Sequence, residues 1–219
     1  MVGIFENIGD SLKFGFRECY GDGFKGFLRM LALFITSIIP IVFFIPMGIF
    51  LKVYRGEKPD FTNAGQAFIR GLLYFVVLIL YMLIPLILFA IFGGLGVIPT
   101  VTGGDIGAVF GGLLASAGIV IAIIAAVILG FVAVPAEINF ARNGFAAAFK
   151  FSEIFGMISK AGFAKYILSY IVLIIVAIII GLILGFLCAI PVLGIIITIL
   201  VTIPLTFFMY KYWANIFAA

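Results

Sequence analysis

The sequence contains no histidine and only two cysteines, Cys19 and Cys188. The first absence removes the commonest general base, the usual zinc and haem ligand and the ordinary near-neutral pH switch. Two cysteines cannot build a metal site of ordinary composition. They are not expected to pair either, because the topology argued below puts them near opposite faces of a bilayer. Charge is scarce as well. Lys and Arg number 13, Asp and Glu 9, and together they make 10% of 219 residues. A soluble domain carries about 25%, so these few cannot cover a soluble surface. No GxGxxG or GxxxxGK[ST] follows a strand-like segment, which leaves nucleotide binding without support. No catalytic, cofactor-binding or metal-ligating set is expected, and the chain reads as a non-enzyme.

What is present is apolar. Hydrophobic residues make up 66%, with 26 Phe and 26 Gly, and the mean hydropathy is +1.41. Such a chain is an integral membrane protein. Its net charge of +4 comes from bases in short clusters beside apolar runs. That is the pattern of side chains at a membrane interface, and it points to lipids rather than nucleic acid.

Residues 1–29 hold four acids and four bases. That mixture lacks the acid-free positive head of a cleavable signal peptide, so none is expected. Phe5, Ile8, Leu12 and Phe16 recur there at helical spacing, which predicts an amphipathic interfacial helix within 1–25. A single transmembrane domain, 26–219, is expected to follow. Its first apolar run, Gly26 to Leu51, is broken by Pro40 and Pro46. As one straight helix it would carry Lys13, Arg17, Lys25 and Arg29 across the membrane. As a hairpin over 26–54, bent at Ile39-Pro40, it keeps every base on one side, and the hairpin is the favoured reading.

Four full spans follow at about 68–92, 107–134, 163–189 and 192–212. Residues 93–112, with eight glycines around Pro99 and Asp105, read as a turn region. The loops 52–70 and 142–165 and Lys211 hold nine of the 13 bases, while 93–112 and the 189–192 corner hold none. Since bases in short loops stay inside, the reading is a multi-pass protein of the cell membrane with both termini cytoplasmic.

Three segments share a rhythm of polar approach, glycine and aromatic entry: Lys13 to Phe27, Gln66 to Tyr74 and Lys150 to Tyr166. Two related halves would explain it, and so would the simple preference of Phe, Tyr and Lys for the interface. Small residues form ridges at Gly103, Gly107, Gly111 and Ala115, at Gly118, Ala122, Ala126 and Gly130, and at Gly181, Gly185 and Ala189. Such ridges permit close helix packing, within one chain or with a second copy or a membrane partner. Candidate contacts to anionic lipid or a partner are Lys52, Arg55, Lys58, Arg142 and Lys150. Glu137, at the cytoplasmic end of the third run, is either a coupling carboxylate or an interfacial partner of Arg142. Asp105 reads as a turn residue or helix cap.

The stretch Val53-Tyr54-Arg55-Gly56-Glu57-Lys58-Pro59-Asp60-Phe61, continuing to Gly71-Leu72-Leu73-Tyr74, resembles the first half of the DUF4013 family. Ala147-Ala148-Phe149-Lys150-Phe151-Ser152-Glu153-Ile154 resembles the second half. The likeness covers about residues 24–214 and leaves the N-terminal helix unexplained. It implies a multi-spanning membrane protein of uncharacterised activity and brings no site residues with it.

The expected fold is therefore all-α: a polytopic membrane helix bundle with a short N-terminal hairpin, four full spans and amphipathic interfacial helices. The leading function is an accessory, scaffold or lipid-interacting one. The alternative is a transporter or channel for a small solute, using helices broken by proline and glycine.

Overall fold

The computed structural model describes residues 3–218, and within them every regular element is a helix. The order is α1 (Ile4–Tyr20), α2 (Phe24–Ile38), α3 (Phe44–Tyr54), α4 (Ala64–Thr102), α5 (Gly104–Asn143), a 3-10 turn (Phe145–Phe149), α6 (Phe151–Ala161), α7 (Phe163–Cys188) and α8 (Pro191–Ile216). Four of them are long and apolar enough to cross a membrane: Ala64–Thr102, Gly104–Asn143, Phe163–Cys188 and Val192–Ile216. The protein is membrane-embedded. Met1, Val2 and Ala219 lie outside the described residues; of the expected helix 1–25, Ile4–Tyr20 is helical and a turn at Gly21–Gly23 leads into α2.

The chain divides into two compact units, Met1–Tyr74 with Pro135–Ala219, and Phe75–Val134. In the first, α2 ends where Ile39 turns extended, and α3 begins after Ile41 takes a positive φ of 72°. The chain then reverses. Asp22, before α2, meets both Arg29 of α2, at 3.7 Å, and Lys58, beyond α3, at 3.5 Å. Proline at 40, with its fixed φ and missing N–H, explains why the helix stops there. The arms of 15 and 11 residues reach only about 22 and 16 Å.

α3 is sheathed: Pro46 and every residue from Gly48 to Tyr54 are buried. Glycine makes this possible. A Cβ on Gly48 would fall on the Ala67 carbonyl oxygen, and one on Gly71 on that of Phe44. Backbones of α3 and α4 therefore touch, antiparallel, where lipid offers no hydrophobic drive for association. The core beside them is filled by Met30, Leu33, Ile49, Phe50, Ile203 and Phe207.

α1 packs along α8 with a face that its apolar periodicity does not mark. Asn7, Ser11, Gly15 and Cys19 are buried, whereas Phe5 and Phe16 are exposed. The hydroxyl of Tyr20 donates to Leu200 O at 2.5 Å, and a Cβ on Gly15 would strike Pro204 O. Cys19 is a buried free thiol that burial pushes up to about 12, and Cys188 is free and exposed.

The second unit is an apolar helical pair, Phe75–Thr102 of α4 and Gly104–Val134 of α5. The sequence reading of 93–112 as a turn region is corrected here: α4 runs to Thr102, α5 starts at Gly104, and only Gly103 lies between them. Gly104 has φ +57°, a conformation that glycine adopts without steric cost. Helix persists through the glycines because they pack it. Gly111 lies against Thr100 and the Gly96 carbonyl, and a Cβ on Gly118 would come within 2.5 Å of Phe92 Cβ. The ridge at Gly181 and Gly185, by contrast, faces open space.

Candidate functional site

Polar chemistry gathers where α3 ends, α5 ends and α8 finishes, all within the first unit. Asn7 donates to Tyr212 O at 3.1 Å, and Asn215 donates to Asn7 Oδ1 at 2.7 Å, which ties α1 to the last turns of α8. Aromatic rings close the same level. Tyr54 and Tyr210 lie 4.9 Å apart between centroids, Tyr170 and Trp213 5.0 Å, and Tyr212 donates to Ser169 O at 2.9 Å. Tyrosine and tryptophan favour the level of the lipid headgroups, where one end of the ring is wet.

Beside this cluster is an open cleft of about 610 Å³. Arg55, Arg142 and Lys211 line it, with Asn215, and no acid is among its lining residues. Arg142 Nε donates to Tyr54 O at 3.1 Å and Nη1 to Phe217 O at 3.2 Å. Arg55 is held in a fork by Glu57, Nε to Oε1 at 2.6 Å and Nη2 to Oε2 at 2.9 Å. That guanidinium keeps the Glu57 carboxyl below the ordinary carboxylate value. Lys211 Nζ sits 5.3 Å from the centre of the Phe14 ring, a cation–π contact. A second cleft of about 390 Å³ shares Arg142 and is lined also by Asn139, Asn143, Glu153 and Lys160.

The expected contact residues separate. Arg55 and Arg142 come together at the first cleft. Lys52 is not available to lipid: it is buried, with Nζ donating to Asp60 O and Thr62 O at 2.8 Å each and pairing with Asp60 Oδ1 at 3.0 Å. Its position in the sheathed α3 explains this, since a buried ammonium requires several acceptors. Lys58 pairs with Asp22, and Lys150 with Glu153 at 2.8 Å, both at the surface.

Glu137 is not the interfacial partner of Arg142. Five residues apart on a helix, the two point about 140° away from each other, and Arg142 turns to backbone carbonyls instead. The Glu137 carboxyl faces the side chains of Tyr54, Tyr74 and Tyr210, from α3, α4 and α8. Its Oε1 is buried with no donor in hydrogen-bond geometry among the described residues. No local pattern could have announced this ring, whose members lie up to 156 positions apart. Lys211 was missed too, although the Tyr210-Lys211-Tyr212-Trp213 run at the end of an apolar span was a readable sign.

Helices of this length and apolarity, with a basic and aromatic end, define a polytopic α-helical membrane protein. The chain belongs to the DUF4013 family, described as a protein of unknown function, whose model matches residues 32–189. Both sequence motifs fall inside that match, whereas α1 and the whole of α8 fall outside it. No curated protein and no solved structure matches the chain.

Proposed function

We propose that the protein is a non-enzymatic, multi-pass component of the cell membrane, with both termini cytoplasmic, that acts as an accessory or scaffold protein through contacts to anionic lipid. One observation carries this reading: a basic cleft without acids lies level with a cluster of tyrosine and tryptophan side chains. Polybasic surfaces beside a membrane gain about 1 kcal/mol per base from an anionic leaflet. The hydrophobic core of Met, Leu, Ile and Phe supports a packed body rather than a solute path. The test is the lipid that accompanies the protein out of a mixed membrane. Gentle extraction is expected to retain anionic over zwitterionic phospholipid, with the preference falling as salt rises. Equal retention of both classes at low salt would refute it.

Transport of a small solute is the second reading, and Glu137 is the observation in its favour. An ionisable group buried in a membrane protein marks a functional site by default. Solute flux in vesicles that disappears in Glu137→Gln would replace the scaffold reading.

A further inference from the structure

The geometry points to the Arg55, Arg142 and Lys211 cleft as a discrete site for one phosphate group, that of an anionic phospholipid headgroup. This deepens the lipid-contacting reading and rests on it. Arg142 carries the argument. Its Nε and Nη1 hold Tyr54 O and Phe217 O, which fixes the guanidinium plane, while no carboxylate of the described residues lies at ion-pair distance. Nη2 is left without an acceptor among them. A solvent-facing cation anchored only by carbonyls is a preorganised anion receptor, and arginine matches phosphate oxygens well.

Lys211 adds the second charge. It has no ion-pair partner among the described residues, and only the Phe14 ring stands under its ammonium. Its flexible stem allows it to turn toward an anion at the cleft. Arg55 stands third in line, because Glu57 already occupies its fork. The depth selects the source of the phosphate. Lys211 is flanked by Tyr210, Tyr212 and Trp213 on the final turns of α8, the level at which such rings meet headgroups.

The test uses the full chain reconstituted in nanodiscs of phosphatidylcholine containing phosphatidylglycerol, with retained lipid counted by native mass spectrometry. Wild type is expected to keep one phosphatidylglycerol, and millimolar inorganic phosphate should displace it. Losing one charge-assisted contact in Lys211→Gln should weaken retention roughly tenfold, without touching the carbonyls that Arg142 braces. Glu57→Gln should strengthen retention by freeing Arg55. Lys25→Gln, outside the cleft, should leave it unchanged.

Retention that ignores both Lys211→Gln and Glu57→Gln overturns the site. So does inorganic phosphate that binds while phosphatidylglycerol is not retained, which would make it a free-anion site. Anionic enrichment that falls equally in Lys25→Gln and Lys211→Gln would overturn the cleft and leave the broader lipid-contact reading standing. Absence of any anionic preference removes both.

Discussion

Between Phe75 and Val134 there is no Lys or Arg and a single acid, Asp105, while all 13 bases lie in the two flanking segments that form the other unit. The contrast extends to how each unit is held. The flanking segments join through side-chain hydrogen bonds and ring contacts, and a buried lysine with three oxygen acceptors braces the first of them. The 75–134 pair relies on glycines that let one helix lie against the next. Lengths differ in the same sense. α7 and α8, of 26 residues each, reach about 39 Å, enough for a hydrocarbon core of about 30 Å with a turn to spare. Within the 75–134 unit, Phe75–Thr102 of α4 and Gly104–Val134 of α5 reach about 42 and 46 Å. One unit is held by polar contacts between side chains, and the other by close packing at glycines.

The largest effect should come from a glycine in the polar unit. Gly71→Leu drives a side chain into the Phe44 carbonyl, where neither backbone can yield. A loss of about 3 kcal/mol or more, the top of the overpacking range, should appear as aggregation or a steep fall in Tm in detergent. Wild-type stability in that variant would mean that α3 and α4 are not in backbone contact.

Gly111→Leu tests the other unit. It meets Thr100 Oγ1, which can rotate, and Gly96 O, which cannot, so about 1–3 kcal/mol is expected. Gly181→Leu, facing open space, should stay within about 0.5 kcal/mol. Equal losses at 111 and 181 would place a partner on the α7 ridge.

Glu137→Gln should change stability by less than about 1 kcal/mol, since Gln keeps the shape and an acceptor oxygen toward the tyrosine hydroxyls and removes a buried ionisable group. Thermal unfolding checks it, and a fall as large as that of Gly71→Leu would show the carboxylate to be structural.

The smallest effect belongs to Glu57. Its folded-state pKa is held below the ordinary 4.5 by the Arg55 guanidinium. The contribution is therefore fully present above about pH 4.5 and is lost as pH falls through the lower, folded value. For an exposed pair this is worth about 0.2–1 kcal/mol. Glu57→Gln should flatten part of the acid limb of a Tm-against-pH curve, and an unaltered limb would deny the pair any weight.

Much of the fold was legible because apolar runs of more than 18 residues have few alternatives, and Pro40 announced the bend between α2 and α3. The glycine-rich stretch misled because glycine costs about 1 kcal/mol in a water-exposed helix, whereas in 93–112 the missing side chain is what allows α4 and α5 to approach. The buried face of α1 was hidden for a related reason: Asn7, Ser11 and Gly15 read as polar filler until α8 supplies their partners. Half of the cleft was readable. Arg55 and Arg142 stood in basic loops, but their orientation depends on carbonyls of Tyr54 and Phe217 that no spacing rule connects.

The proposed topology, with the basic loops cytoplasmic and the Gly103-Gly104 turn outside, is tested most directly by accessibility. Single cysteines replacing Glu57, Glu153 and Gly104 in a chain free of Cys19 and Cys188 would be labelled in intact cells by a membrane-impermeant thiol reagent. The account predicts reaction at position 104 from outside, and at 57 and 153 only after the membrane is opened. Labelling of 57 and 104 from the same side would contradict it, because those positions flank a single span.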